Sequence, residues 1–312
     1  MPFPRRRVGL SLGLTLLLLV LPLPGDCDNA TNAHWVPATA TWYGAAEGDG
    51  SDGKGLAPGY PAACFCRHLP SRKTVNPRGA LLCEQRACGY GSLVDVRPLR
   101  ARVGAVSPVL FKDGEGCGAC YKVKCVMDQS ICSRRPVTII ITDECPGGYC
   151  ANGNTHFDLS GAAFGRMAIA GFGSELRNRG MIPVLFRRTP CKYRGMNIAF
   201  RVNEGSTEYW LSLLVEFEDG DGDVGSMHIQ ERMASFFSRR TDLCAASAGG
   251  LGRVAGDEAP VGANWAIIGG PLSGPFSVKL TTLSTQTTLS ARDVIPKNWS
   301  PKATYTSGLN FA

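Results

Sequence analysis

The groups best able to do chemistry in this chain are its thirteen cysteines and a set of closely spaced carboxylates. Cys117-Gly118-Ala119-Cys120, followed by Cys125 and Cys132, sets thiols at a spacing that suits tetrahedral zinc. A second CxxC pair is missing, and eleven of the cysteines crowd between Cys64 and Cys191, leaving Cys27 and Cys244 outside. In an oxidising compartment the same thiols form disulfides instead. Asp219-Gly220-Asp221-Gly222-Asp223 imitates the start of a calcium loop. Val224 then stands where the sharp turn needs glycine, and Gln230 where a bidentate glutamate closes the shell, so the segment reads as a hairpin turn. No metal or cofactor is expected from either cluster.

The amino terminus decides between zinc and disulfides. Arg5, Arg6 and Arg7 precede an apolar run from Val8 to Leu23, closed by Pro24 and Gly25. A charged lead, a short apolar stretch and small residues make a secretory signal peptide over residues 1–25. The run is broken by Gly13 and Pro22, which argues against a membrane span. Asn29-Ala30-Thr31 makes Asn29 a glycosylation acceptor on the same route. A secreted protein with no integral membrane segment follows, and its cysteines are expected to be oxidised.

The elements that hold these groups are mostly strands. Strands are predicted at Thr39 to Tyr43, Ala119 to Val126 and Pro136 to Thr142. The β-branched run Val137 to Ile141 suggests burial on both faces. One short helix follows Asp158 and Ser160, carrying Ala162, Ala163, Phe164 and Met167. Past Cys191 the sequence alternates: Ile198, Phe200, Val202; Leu211, Leu213, Val215, Phe217; Met227, Ile229; Phe276, Val278, Leu280. That period of two predicts a second unit, an antiparallel sandwich, with a boundary near Arg194 to Asn197.

The formal net charge of +7 excludes less than it suggests. Arg5 to Arg7, together with the six basic residues set against Glu84 between Lys54 and Arg86, hold all of the excess. The remaining body is close to neutral and gives no warrant for a nucleic-acid partner.

Three segments and a fourth near the end then define a pattern: Thr39-Ala40-Thr41-Trp42-Tyr43-Gly44, Gly116-Cys117-Gly118-Ala119-Cys120-Tyr121-Lys122-Val123-Lys124-Cys125, His156-Phe157-Asp158-Leu159-Ser160-Gly161, and Asp293-Val294-Ile295-Pro296-Lys297-Asn298-Trp299. In this order they closely resemble the plant β-expansins, relatives of the grass-pollen group-1 allergens. The resemblance implies a mainly β protein, a six-stranded double-psi β-barrel over 38–192 followed by an immunoglobulin-like β-sandwich over 196–312. It also implies one long groove for wall polysaccharides (cellulose, xylan or other matrix glycans), a monomer, and a place in the cell wall or at the periphery of the membrane.

The barrel is similar to that of family-45 inverting endoglucanases, in which one carboxylic acid protonates the leaving oxygen and a second carboxylate activates water. Asp158 matches the acid, with helix capping as its alternative role. Asp143 is expected to face the same groove, or else to be a solvated strand-end residue. Thr39 to Tyr43 carries no carboxylate where such hydrolases keep their base, so the expectation is binding and loosening without hydrolysis. Thr41 and Tyr43 share the groove face and Trp42 points away. Trp42, Tyr43, Trp210 and Trp265 are the expected sugar-contacting aromatics, with Val261 standing where a tryptophan is usual and core burial as the alternative for Trp42, Trp210 and Trp265.

The resemblance also implies the pairs Cys88 with Cys117, Cys120 with Cys191 and Cys125 with Cys132. Cys145 and Cys150 are close enough in sequence for a fourth bridge. Two stretches depart from the family: residues 54–86, which read as an intron retained in the gene model, and 232–260, with a lone Cys244. Both are expected to be poorly ordered.

Overall fold

The computed structural model describes residues 34–48, 87–231, 243–245, 263–269 and 271–311. The expected signal segment 1–25, Cys27, Asn29, the stretch 54–86 with Cys64, Cys66 and Cys83, and most of 232–260 lie outside the described residues.

Six strands close the barrel. They are β1 (Val36–Tyr43), β2 (Val103–Val106), β3 (Cys120–Cys125), β4 (Val137–Glu144), β5 (His156–Ser160) and β6 (Ile182–Arg188), in the spatial order β1-β5-β2-β4-β3-β6. The pairs β1/β5 and β2/β4 are parallel and the other four antiparallel. Alternation explains the filling, since Val123, Ile139, Ile141, Phe157, Leu159 and Ile182 all point inward and are buried. Phe157 lies edge-on to Tyr121 at 5.7 Å and packs against Phe186 at 5.0 Å.

Among the described residues three short helices decorate the barrel: α1 (Pro108–Phe111), α2 (Gly161–Gly165) and α3 (Gly173–Asn178). α2 starts where expected. Ser160 is its cap, its hydroxyl accepting from the Ala163 N–H at 3.1 Å, which leaves Asp158 free of that duty. Gly161 is required by close approach, because a Cβ there would lie 2.2 Å from the Ala45 carbonyl oxygen.

Among the described residues four disulfides form, Cys88–Cys117, Cys120–Cys191, Cys125–Cys132 and Cys145–Cys150, with Cα separations of 5.5, 5.3, 5.5 and 5.7 Å. Cys117 and Cys120 bond to different partners, so the CxxC pair has no thiolate left for zinc.

The second unit packs two sheets, β10-β9-β12-β13 and β11-β8-β7-β14. Their strands are β7 (Ala199–Val202), β8 (Trp210–Glu216), β9 (Val224–Glu231), β10 (Leu243–Ala245), β11 (Asn264–Ile268), β12 (Phe276–Thr282), β13 (Thr288–Ile295) and β14 (Thr304–Thr306). Ile198, Phe200, Leu211, Leu213, Met227, Phe276, Val278 and Leu280 fill the space between them, as the alternation requires.

Three expectations need correction. Phe217 does not continue the sandwich stripe; its φ is +64°, which turns it onto the barrel core, edge-on to Tyr193 at 5.7 Å. Asp219 to Asp223 is not a hairpin, because β8 and β9 belong to opposite sheets and the segment arches between them. Within 232–260, Leu243–Ala245 pairs antiparallel with β9, so part of that stretch keeps strand structure.

The arch joins the two units. Gly220 pairs with Cys191 by reciprocal backbone hydrogen bonds of 2.7 and 3.1 Å, and Arg188 meets Asp223 at 2.8 Å. Gly118 and Gly222 face each other across the junction: a Cβ on Gly118 would stand 2.0 Å from the Gly222 carbonyl oxygen. Only hydrogen fits there.

Candidate functional site

Thr41, Asp158 and Asp143, the residues expected to face a groove, sit on the outer face of the barrel in one cross-strand row. Thr41 on β1 is opposite Asp158 on β5, Asp158 is opposite Ala105 on β2, and Ala105 is opposite Asp143 on β4. A register shift between Gly104 and Ala105 skips Thr142 and brings Asp143 into the row. Two strand spacings then separate the two aspartates, about 10 Å between backbones. Ala105 between them offers only a methyl group, so the row has a floor with acidic sides.

Hydrogen bonds fix the row. The Thr41 hydroxyl donates to Asp158 Oδ1 at 2.8 Å and contacts His156 Nε2 at 2.9 Å, while Thr39 Oγ1 contacts His156 Nδ1 at 2.7 Å. His156 thus bridges two threonine hydroxyls with both ring nitrogens, one donating and one accepting. Burial pushes its pKa down to about 4, so the ring is neutral from about pH 5 upward. Asp158 moves the other way. Burial is the main cause of a pKa raised to about 6, Thr41's hydrogen bond opposes the rise and the Asp143 charge adds to it. Asp143 is held differently: its Oδ1 accepts from the backbone N–H groups of Ala87 at 2.8 Å and Glu144 at 2.9 Å. Glu144 beside it has its pKa raised by burial and by the charges of Asp113 and Asp143.

Two residues here escaped the sequence reading. His156 shares the Asp158 face by the period of two, a signal that was available in the His156-Phe157-Asp158 triplet. Tyr149 had no such signal. It sits in the turn Gly148–Cys150, tied by the Cys145–Cys150 bridge, and stacks on the His156 ring at 5.9 Å while 45% exposed. An exposed ring beside hydroxyls and a protonatable carboxyl can take the apolar face of a sugar.

The expected aromatics are distributed unequally. Trp42 points away from Thr41 and Tyr43, packs against the barrel core, and donates its indole N–H to the Arg177 carbonyl at 3.0 Å. That carbonyl belongs to the residue whose guanidinium bonds Gly161 O at 3.1 Å and Glu47 at 2.6 Å, so Trp42 braces the end of β1 rather than lining the row. Trp265 is 2% exposed in the sandwich core, opposite Leu213. This corrects its expected role as a sugar platform, since a buried ring has no face to offer. Trp210 is half-buried on the outer face of the β8/β11 sheet, opposite the exposed Ile268 and next to Tyr209, the most exposed large aromatic among the described residues at 58%.

That face leads back to the barrel. Leu214, four residues along β8 from Trp210 and about 13 Å away, packs into the barrel core, and its register partner is Asn264. The neighbouring Ala263 N–H bonds the Cys88 carbonyl at 3.2 Å, in the same turn whose Ala87 N–H holds Asp143. Among the described residues no group of three or more His, Cys, Asp or Glu side chains is arranged to hold a metal ion, and no helix is long and apolar enough to cross a membrane.

Comparison with known proteins gives consistent matches. A family profile described as lytic transglycolase matches residues 103–186, and one described as the expansin C-terminal domain matches residues 198–296. Expansin-B3 of Arabidopsis thaliana is 55% identical over 310 residues, covering 99% of this chain and 98% of its own. Expansin-B16 of Oryza sativa subsp. japonica is 56% identical over 288 residues, covering 92% of this chain and 88% of its own. A mutant Clavibacter michiganensis expansin solved in complex with cellohexaose shares the fold with a TM-score of 0.55 at 18% identity, covering 89% of this chain and 98% of that one.

Proposed function

The chain belongs to the B-type expansins, and on that premise we propose that it is a secreted, monomeric protein that loosens plant cell walls without hydrolysis. It binds cellulose and matrix glycans along the Thr41–Asp158–Asp143 row and the Trp210 face, and displaces their non-covalent contacts. The cellohexaose held by the Clavibacter protein supports a linear glucan as one ligand.

The observation that carries the reading is the hydroxyl of Thr41 on Asp158. An inverting hydrolysis needs an acid and a separate base that activates water. β1 presents threonine hydroxyls to the row, and Asp143 is engaged by two backbone N–H groups. With its raised pKa, Asp158 is a neutral hydrogen-bond donor at acid pH, able to compete for a glycan oxygen that would otherwise bond a neighbouring chain.

The presence of two aspartates in one row, on strands two spacings apart, favours a second reading as an endoglucanase with Asp143 as base, since inverting pairs set their carboxyls ~6.5–9.5 Å apart. Two assays on the same preparation separate them. Creep of heat-killed wall strips under load is expected to increase, with no sustained release of reducing sugar from soluble glucan or xylan. Sustained release that is lost in Asp143→Asn would overturn the non-hydrolytic reading.

A further inference from the structure

A second surface on the barrel is built for a different ligand. β3 and β6 pair antiparallel with Lys122 opposite Arg187. Val123 and Phe186 point into the core, so alternation sends Lys122, Lys124 and Arg187 outward. Trp35, immediately before β1, lies against both neighbours of this group: Lys124 Nζ is 4.1 Å from its ring centroid and Arg187 Cζ 5.0 Å. None of the three cations forms an ion pair with an aspartate or glutamate among the described residues.

The cross-strand pair stands about 5 Å apart and the Lys122/Lys124 pair about 7 Å apart. Three positive charges carried on neighbouring strand positions repel one another, and the tryptophan face offsets the repulsion for two of them only in part. Trp35 therefore works as a clamp for cations, its ring occupied by them. A ligand that completes the cluster must bring several negative charges at a similar spacing. Six residue steps along β1, about 20 Å, separate Trp35 from Thr41, so the patch can be filled while the Asp158 row is occupied by another chain.

We propose that Lys122, Lys124 and Arg187, clamped by Trp35, form a binding site for a polyuronate, a polysaccharide with carboxylates on successive sugars. The protein would then hold an acidic wall polymer on one side of the barrel and a neutral glycan along the groove. Polyuronate suits the cluster better than a sparsely acidic glycan because the cations are grouped within one sugar or two of each other.

The test uses the secreted full chain in affinity electrophoresis through gels containing polygalacturonate, with its methyl ester as the uncharged control. At low salt the wild type is expected to be retarded by polygalacturonate and not by the ester, with the retardation fading as sodium chloride is raised to ~0.3 M. Lys124→Gln/Arg187→Gln is expected to weaken retardation about tenfold, at up to about fivefold per screened charge, and Trp35→Leu by less. Lys124→Gln alone serves should the double variant melt abnormally. Cellohexaose binding, measured in parallel, is expected to be unchanged in all variants, which separates failure of this site from failure of the groove reading. Equal retardation by the ester, wild-type retardation of the double and Lys124→Gln variants, or tighter binding to duplex DNA or anionic lipid vesicles than to polygalacturonate would each overturn the proposal.

Discussion

Replacing Asp158 by asparagine isolates the group on which the proposed loosening turns. The ordinary value for an aspartate here is 3.8, and burial raises Asp158 to about 6. The folded state therefore holds the proton more tightly than the unfolded chain does. The stabilising contribution is complete below pH 3.8 and is lost as pH rises to about 6. A difference of about two pH units corresponds to about 3 kcal/mol. Asparagine cannot titrate, so the stability of the wild type minus that of Asp158→Asn is expected to fall by about 3 kcal/mol between pH 4 and pH 6.5 and then stay level. Urea denaturation at half-unit pH steps reads this directly. The same carboxyl should govern function. About nine-tenths is protonated at pH 5 and about one-tenth at pH 7, so creep of wall strips should decline through pH 6 if the neutral acid is the donor. Thr41→Val removes the hydrogen bond that favours the charged form and should move that decline to higher pH. Parallel stability curves for wild type and Asp158→Asn, or a creep profile unmoved by either substitution, would refute the assignment.

The other predictions test the frame around the groove. Gly118→Ala pushes a Cβ to within 2.0 Å of the Gly222 carbonyl at a φ of +84°, and should cost about 3 kcal/mol or more in thermal unfolding. Trp265→Ala should cost about 3–5 kcal/mol as a core deletion, whereas Trp210→Ala should weaken retention on cellulose with a smaller loss of melting temperature. Glu216, buried on β8 with Oε1 lacking a hydrogen bond, has its pKa raised from 4.5 to about 7 by burial, which Arg201 only partly offsets. The wild type should accordingly lose about 3 kcal/mol relative to Glu216→Gln as pH rises from 4.5 to 7. Calorimetry across that range would show it.

The motifs around Thr41, Cys117 and Asp158 carried the family, and with it the two-unit architecture and the groups of the groove row. Short strands with a period of two were legible wherever one face is buried, as in Leu211, Leu213 and Val215. The same local pattern failed at Phe217, because a positive φ reverses the side chain and no period anticipates it.

What the residues determined by themselves is chemistry and alternation. Cysteine placement, the β-branched run in β4 and the absence of a carboxylate on β1 are properties of the chain, and they persist in any conformation. What only the tertiary structure decided is adjacency. That Trp265 lies in the core while Tyr149 is exposed on His156, that a one-residue bulge puts Asp143 rather than Thr142 in line with Asp158, and that Trp35 gathers Lys124 and Arg187 all depend on strands distant in sequence meeting in one register. A shift of one residue in that register sends every side chain to the opposite face. Local sequence cannot encode such pairings alone, because they are fixed by the closure of the barrel and the burial of both its partners.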